Sequence, residues 1–165
     1  MKEVISRLKQ IKETVSELSI EKAISEHTKL FINYDGDKNI AKGRRFISPY
    51  VLGKLKNTNN LGLRAYESMG DSEHPEDIPG WRLFLVDSIS TIHNTDTVFK
   101  LRSDYKPNDK GFNTINVKAK KLSKAMQARN KDREMEADMG SGGGLLSAIK
   151  DLFKVKKPEK PKIKY

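Results

Sequence analysis

The chain has 165 residues, of which 36% are hydrophobic and 33% charged, a length and balance that suit one compact domain with solvated extensions. It has no run of 18 or more apolar residues, charge interrupts its first stretch every few residues, and it has no cysteine, which argues against a membrane-spanning helix, a signal peptide, a disulfide framework and a cysteine nucleophile. A cytoplasmic protein is expected. The net charge of +10 is unevenly placed: residues 1–99 hold 14 Lys and Arg against 14 Asp and Glu, whereas residues 100–165 hold 18 against 8. A basic extension on a neutral unit points towards nucleic acid, the bland alternative being a solubilising tail.

Residues 2–18 place Val4, Ile5, Leu8, Ile11, Val15 and Leu18 at spacings of three and four, which predicts an amphipathic helix. Ser19 is placed to cap a second, short helix, "IEKAISEH", that buries Ile20, Ala23 and Ile24. The pattern then turns to alternation. "KLFINY", "RRFISPYVLG", "LGLRAYES", "WRLFLVDSI" and "DTVFKL" read as five short strands with turn signals between them, a small antiparallel barrel or sandwich. "KPNDKGFN" reads as a loop, and residues 115–138 favour helix with too few apolar positions for deep burial. "MGSGGG" is a linker, and "LLSAIKDLFK" sets Leu145, Leu146, Ile149, Leu152 and Phe153 on one helical face. The final Lys/Pro-rich stretch is compositionally suited to disorder.

Several motifs fail on inspection. "DGDKN" opens like a calcium loop, yet Ile40 and Phe46 stand where glycine and a bidentate glutamate belong, so it reads as a turn. The glycine run lacks the Lys-Ser/Thr of a phosphate loop. His27, His74 and His93 share no metal-ligand spacing and adjoin no nucleophile, and the acids of "DSEHPEDIP" lie on an expected exposed loop. No metal, no cofactor and no catalytic residue is expected; the protein reads as a non-enzyme.

Arg45, Arg64 and Arg82 are more unusual, each in an alternating apolar strand context where an unpaired charge would be expensive. Either each pairs with a nearby carboxylate such as Glu67 or Asp87, or the strands aim them, with Tyr34, Tyr50 and Tyr66, at one anionic ligand. Trp81, the sole tryptophan, is assigned to packing against the barrel or the N-terminal helix.

The succession "INY", "RRFISPYVLG", "LRAYE" and "GWRLFLVDSI" resembles the WYL domain over roughly residues 20–100. The resemblance is to short stand-alone members rather than to long regulators. It implies an α+β, mainly β fold: a small SH3/Sm-like antiparallel β-barrel with an N-terminal helix and a helical, basic C-terminal extension. It also implies a module that binds nucleic acid or nucleotide-type ligands, here through Tyr34, Arg45, Tyr50, Arg64, Tyr66 and Arg82. The eponymous Trp-Tyr-Leu is replaced by "LGL" at residues 61–63, and the stretch before the domain is too short for a winged helix-turn-helix. The expected division is a helix over 1–19, a WYL-like barrel over 20–105, a basic extension over 106–139, and linker, short helix and tail over 140–165.

The leading expectation is a regulatory or phage-associated binder of single-stranded DNA or RNA, with Lys118, Lys120, Lys121, Lys124 and Arg129 adding phosphate contacts. Two alternatives stand beside it. One is a nucleotide or second-messenger sensor using the same arginines. The other is an interaction protein that docks Leu145, Leu146, Ile149, Leu152 and Phe153 on a partner. Homo-oligomers are compatible with the N-terminal helix, and membrane contact is not favoured.

Overall fold

The computed structural model of the protein describes residues 1–139 and 145–154. Helix α1 (Lys2–Glu26) is continuous through Ser19, where the sequence suggested a break. No glycine or proline interrupts it, and one mid-helix serine costs only tenths of a kcal/mol. It ends at His27, whose left-handed backbone (φ 56°, ψ 44°) returns its N–H to the Ala23 carbonyl. Its last turns bury Ile20, Ala23 and Ile24 completely, while its first turns stand clear of the sheet.

Six antiparallel strands follow: β1 (Thr28–Tyr34), β2 (Gly43–Leu55), β3 (Leu61–Gly70), β4 (Gly80–Leu85), β5 (Ile89–Val98) and β6 (Phe112–Lys118). The order across the sheet is β4-β3-β2-β1-β5, with β6 on β2. Strand β2 is the spine: β3 runs along one edge, while β1 takes residues 43–47 and β6 residues 51–55 of the other. Pro49 lies between those two ladders, where its missing N–H costs least. Both faces of β2 are covered, and residues 45–53 are buried without interruption.

The sheet is not closed into the barrel that the resemblance implied. Strands β4 and β5 stand at opposite ends of the strand order, and a single 3₁₀ turn, Val86–Ser88, carries the chain from one to the other. Two strands also differ from their expected places. β5 begins at Ile89 and ends at Val98, so "DTVFKL" supplies only its final residues and is not a strand of its own. A strand at the end of the sheet order, half in water, needs few apolar residues, and "ISTIHNTDTV" carries a weak signal for that reason. β6 was hidden between an expected loop and an expected helix. "TINV" alternates, but only the open edge of β2 makes it a strand.

Helix α2 (Lys124–Met139) then runs largely exposed, tied down by Asn130, which donates to the Glu26 carbonyl (2.8 Å), and by Arg133, which pairs with Glu26 (3.1 Å). Helix α3 (Leu145–Leu152) returns to the sheet.

Gly53 faces β6 without a side chain, at its pairing with Ile115. A Cβ there would collide with the Thr114 carbonyl and come within 2.9 Å of the Ile115 Cα. Gly53→Ala is therefore expected to destabilise the protein by about 1–3 kcal/mol, read as a lower urea midpoint.

Candidate nucleic-acid interface

The inner face of the sheet carries one buried carboxylate. Glu67 on β3 is 1% exposed and receives Arg45 Nη1 from β2 (3.1 Å) and Arg82 Nε from β4 (3.3 Å). Arg45 is itself buried and also donates to the Ala41 carbonyl (2.6 Å), and Arg82, a quarter exposed, donates to the Asp77 carbonyl (3.2 Å). Burial pushes the Glu67 carboxyl upward, and the two guanidiniums pull against it. Arg82 shares its face of β4 with Phe84 because it stands at the rim of the core, reaching back to an acid inside it, while Val86 already belongs to the turn that follows.

Tyr34 belongs to the same face. Its ring meets Phe84 edge-on (5.1 Å), and its hydroxyl donates to Asp37 and accepts from the Leu85 N–H. Burial and Asp37 raise its pKa. Asp37 in turn accepts the N–H groups of Asn39 and Ile40, which makes "DGDKN" the turn that was expected. A polar cavity of ≈ 410 Å³ beside this cluster is lined by Asp37, Lys38, Glu67, Glu73, Asp77 and Arg82 among others.

The outer face is different in kind. Trp81 packs between Tyr66 (5.5 Å) and Tyr50 (4.8 Å), and Tyr105 lies nearly parallel to it (6.2 Å). The Arg102 guanidinium sits 3.9 Å above the Tyr66 ring. Asp104 accepts from both Trp81 Nε1 (3.0 Å) and Arg102 Nε (2.8 Å), and those two bonds hold its carboxyl below the ordinary range. Burial raises the Tyr105 phenol to about 12. Arg64 pairs with Asp109 (2.6 Å).

Between these groups lies a groove of ≈ 650 Å³ lined by Arg64, Trp81, Asp104, Lys106, Asn108, Asp109 and Lys110. Lys118 donates to Asn108 (3.0 Å), and it also lines a second groove of ≈ 600 Å³ with Lys120 and Lys121. That hydrogen bond links a residue of one groove to a residue of the other.

The three strand arginines do not share one place. Arg45 and Arg82 meet on Glu67, whereas Arg64 is on the opposite face with Asp109. Tyr34 goes with the first pair, and Tyr50 and Tyr66 with Trp81. Lys118, Lys120 and Lys121 line a common groove; Lys124 and Arg129 are exposed on α2. In α3, Ile149 is buried, and Phe153 turns onto the chain's own sheet, against Phe31 (6.1 Å) and under Arg44 (5.6 Å). Leu152 is half exposed, with its carbonyl accepting from Arg44 (3.3 Å); the side chains of Leu145 and Leu146 lie outside the described residues. Sequence reasoning missed Lys106, Asn108 and Lys110, which stood in a stretch read as loop, and it placed Trp81 in packing alone. Their only sequence signal is two lysines four apart around Asn108 and Asp109. Among the described residues no cluster of three or more His, Asp or Glu could hold a metal, and no helix is long and apolar enough to cross a membrane.

No protein-family model matches the chain, and no curated protein matches it. Among solved structures, it is similar over 55% of its length to proteasome accessory factor B/C (PafBC) of Arthrobacter aurescens, at 15% identity and a TM-score of 0.44. The match spans 13% of that protein's chain.

Two outcomes follow from the pairings. Glu67→Gln leaves two guanidiniums facing a neutral amide, and is expected to cost about 3–5 kcal/mol in denaturant unfolding. Asp109 behaves differently. Burial would raise its carboxyl, but Arg64 and the Gly111 N–H hold it below the ordinary 3.8. Its contribution is therefore present above pH 3.8 and is lost as pH falls through the depressed value. Asp109→Asn should cost about 1 kcal/mol at neutral pH, discounted for partial exposure, and the difference from wild type should vanish in acid-unfolding titrations.

Proposed function

We propose that the protein is a WYL-type, non-enzymatic binder of single-stranded nucleic acid, and that the strand lies on the outer face of the sheet. The observation that carries this is the run of lysines beside Trp81: Lys106 and Lys110 line its groove, where Asp109 engages Arg64 and Asp104 holds the indole N–H, and the Asn108–Lys118 bond leads towards the next groove, with Lys120 and Lys121. An aromatic floor with cations along a track is the arrangement that stacks a base and follows a phosphate backbone. An unpaired base is required for stacking, which favours a single strand. The four motifs of the WYL resemblance fall on β1, β2, β3 and β4 in order, which supports an SH3/Sm-like ancestry for this open sheet.

The inner cavity is a poorer phosphate site. Asp37, Glu67, Glu73 and Asp77 there oppose Lys38, Arg45 and Arg82, and the two arginines are already engaged by Glu67. A sensor for an anionic nucleotide is less well supported for that reason.

Trp81 is the only tryptophan, so occupancy of the outer groove should quench its fluorescence directly. Oligothymidylate and oligouridylate are expected to bind at low salt, with log affinity falling against log salt by about 0.7 per phosphate contacted. Replacing Lys118, Lys120 and Lys121 together by alanine should flatten that slope by about 2. Lys106→Ala with Lys110→Ala should weaken the quenching, and Asp104→Asn should strengthen binding. Absence of binding at low salt, or binding indifferent to all these lysines, would sink the proposal.

A further inference from the structure

The N-terminal half of α1 is unused by the sheet. Ile20, Ala23 and Ile24 are fully buried, yet Met1, Val4, Leu8, Ile11 and Leu18 are between 58% and 101% exposed. Leu18 shows that these are separate faces, since it stands two residues from Ile20 and is 58% exposed. Positions 1, 4, 8, 11, 15 and 18 are apolar throughout (Met, Val, Leu, Ile, Val, Leu) and follow the alternating three-four spacing of a coiled-coil seam. The seam ends where Lys22 takes the next position in phase.

We propose that this seam pairs with the same seam of a second copy, as an antiparallel two-helix dimer. Charge selects both the occupant and the direction. Residues 1–9 carry Lys2, Arg7 and Lys9 against Glu3 alone, whereas residues 10–18 carry Glu13 and Glu17 against Lys12 alone. The two halves are therefore opposite in net charge, but Lys2, Lys9, Glu13 and Glu17 stand at outward b, c and f positions, so this complementarity acts only at long range and the flanking e and g positions set the direction. The flanking positions agree. With positions 1, 8 and 15 as a and positions 4, 11 and 18 as d, position 7 is a g position and positions 5 and 12 are e positions. A parallel pair would set Arg7 against Lys12 of the second copy, twice over. An antiparallel pair sets g against g and e against e, so position 7 faces position 14, which is uncharged, and position 5 faces position 12. That accounts for Ile5, which is 63% exposed beside the seam. The same register matches position 1 with 18, 4 with 15, and 8 with 11, leaving no seam residue unpaired. It also keeps the two sheets at opposite ends of the helix pair, and it closes as a two-fold dimer. Four cations nearly balanced by three acids over residues 1–18 make this helix a poor match for an anionic membrane. The seam is short, but the last turns of α1 are already anchored on the sheet, which lowers the cost of helix nucleation.

Sedimentation velocity on the full chain, from about 1 µM to about 1 mM, tests this without any nucleic acid. A concentration-dependent dimer is expected, and Leu8→Asp with Ile11→Asp should abolish it without moving the urea midpoint measured at a concentration where the wild type is monomeric. Thr14→Glu places an acid opposite Arg7 of the other copy at both ends and should lower the dimer Kd about threefold, whereas Thr14→Lys should raise it by about as much. Because the chain has no cysteine, Val4→Cys and Val15→Cys report direction: each alone should fail to cross-link, and a mixture should cross-link. A monomer at all concentrations overturns the proposal, as does a chain that instead partitions onto phosphatidylserine vesicles. Self-cross-linking of Val4→Cys, or a dimer that survives Leu8→Asp with Ile11→Asp, overturns it equally.

Discussion

Glu67 is the constraint on which the sheet depends. A carboxylate 1% exposed cannot stay charged without partners, and the partners come from the strands on either side, Arg45 of β2 and Arg82 of β4. The two guanidiniums extend the clamp to the carbonyls of Ala41 and Asp77, so both loops at that end are tied to the same point. Gly70 lacks a side chain where the Glu67 carboxylate and the Arg45 stem occupy the space. An apolar cluster of equal volume could bring comparable stability. The ion cluster ties three strands at one point: Arg45, Glu67 and Arg82 meet in the register that the ladders of β2, β3 and β4 share.

That clamp lies on the inner face, and the outer face is built differently. Across the same strands, side chains one residue away point to the other side. Arg64 and Tyr66 flank Ala65 and Glu67 in sequence but belong with Trp81, Tyr50 and Tyr105. The loop that follows β5 then lays Arg102, Asp104, Lys106 and Lys110 around the aromatic cluster, and β6 continues the basic surface along β2. The charge excess of the C-terminal part is therefore not merely a tail, since part of it is built into the sheet.

Legibility followed the physical strength of each signal. Strands β1 to β4 were visible because they border the core and alternate apolar with polar residues. β5 and β6 were obscured because strands half in water need few apolar side chains. The open sheet escaped the resemblance, because closure depends on whether two distant strands pair and not on the content of either one. The candidate site was split for a related reason: strand alternation gives each side chain a face, but which faces converge depends on register, and the bulges in β2 shift it.

By itself the sequence determined the periodicities and the location of the positive charge, because these are properties of neighbours along the chain. It also determined that Arg82 lies in line with Phe84. Only the tertiary structure decided that Arg82 answers to Glu67 and that Arg64 does not join it. It alone brought Lys106 and Lys110 into one groove with Trp81, and Lys118 onto Asn108 of that groove, from a loop and a strand well beyond Trp81 in sequence. Pairing of charges across strands is set by register and burial, and neither is written in any local stretch of the chain.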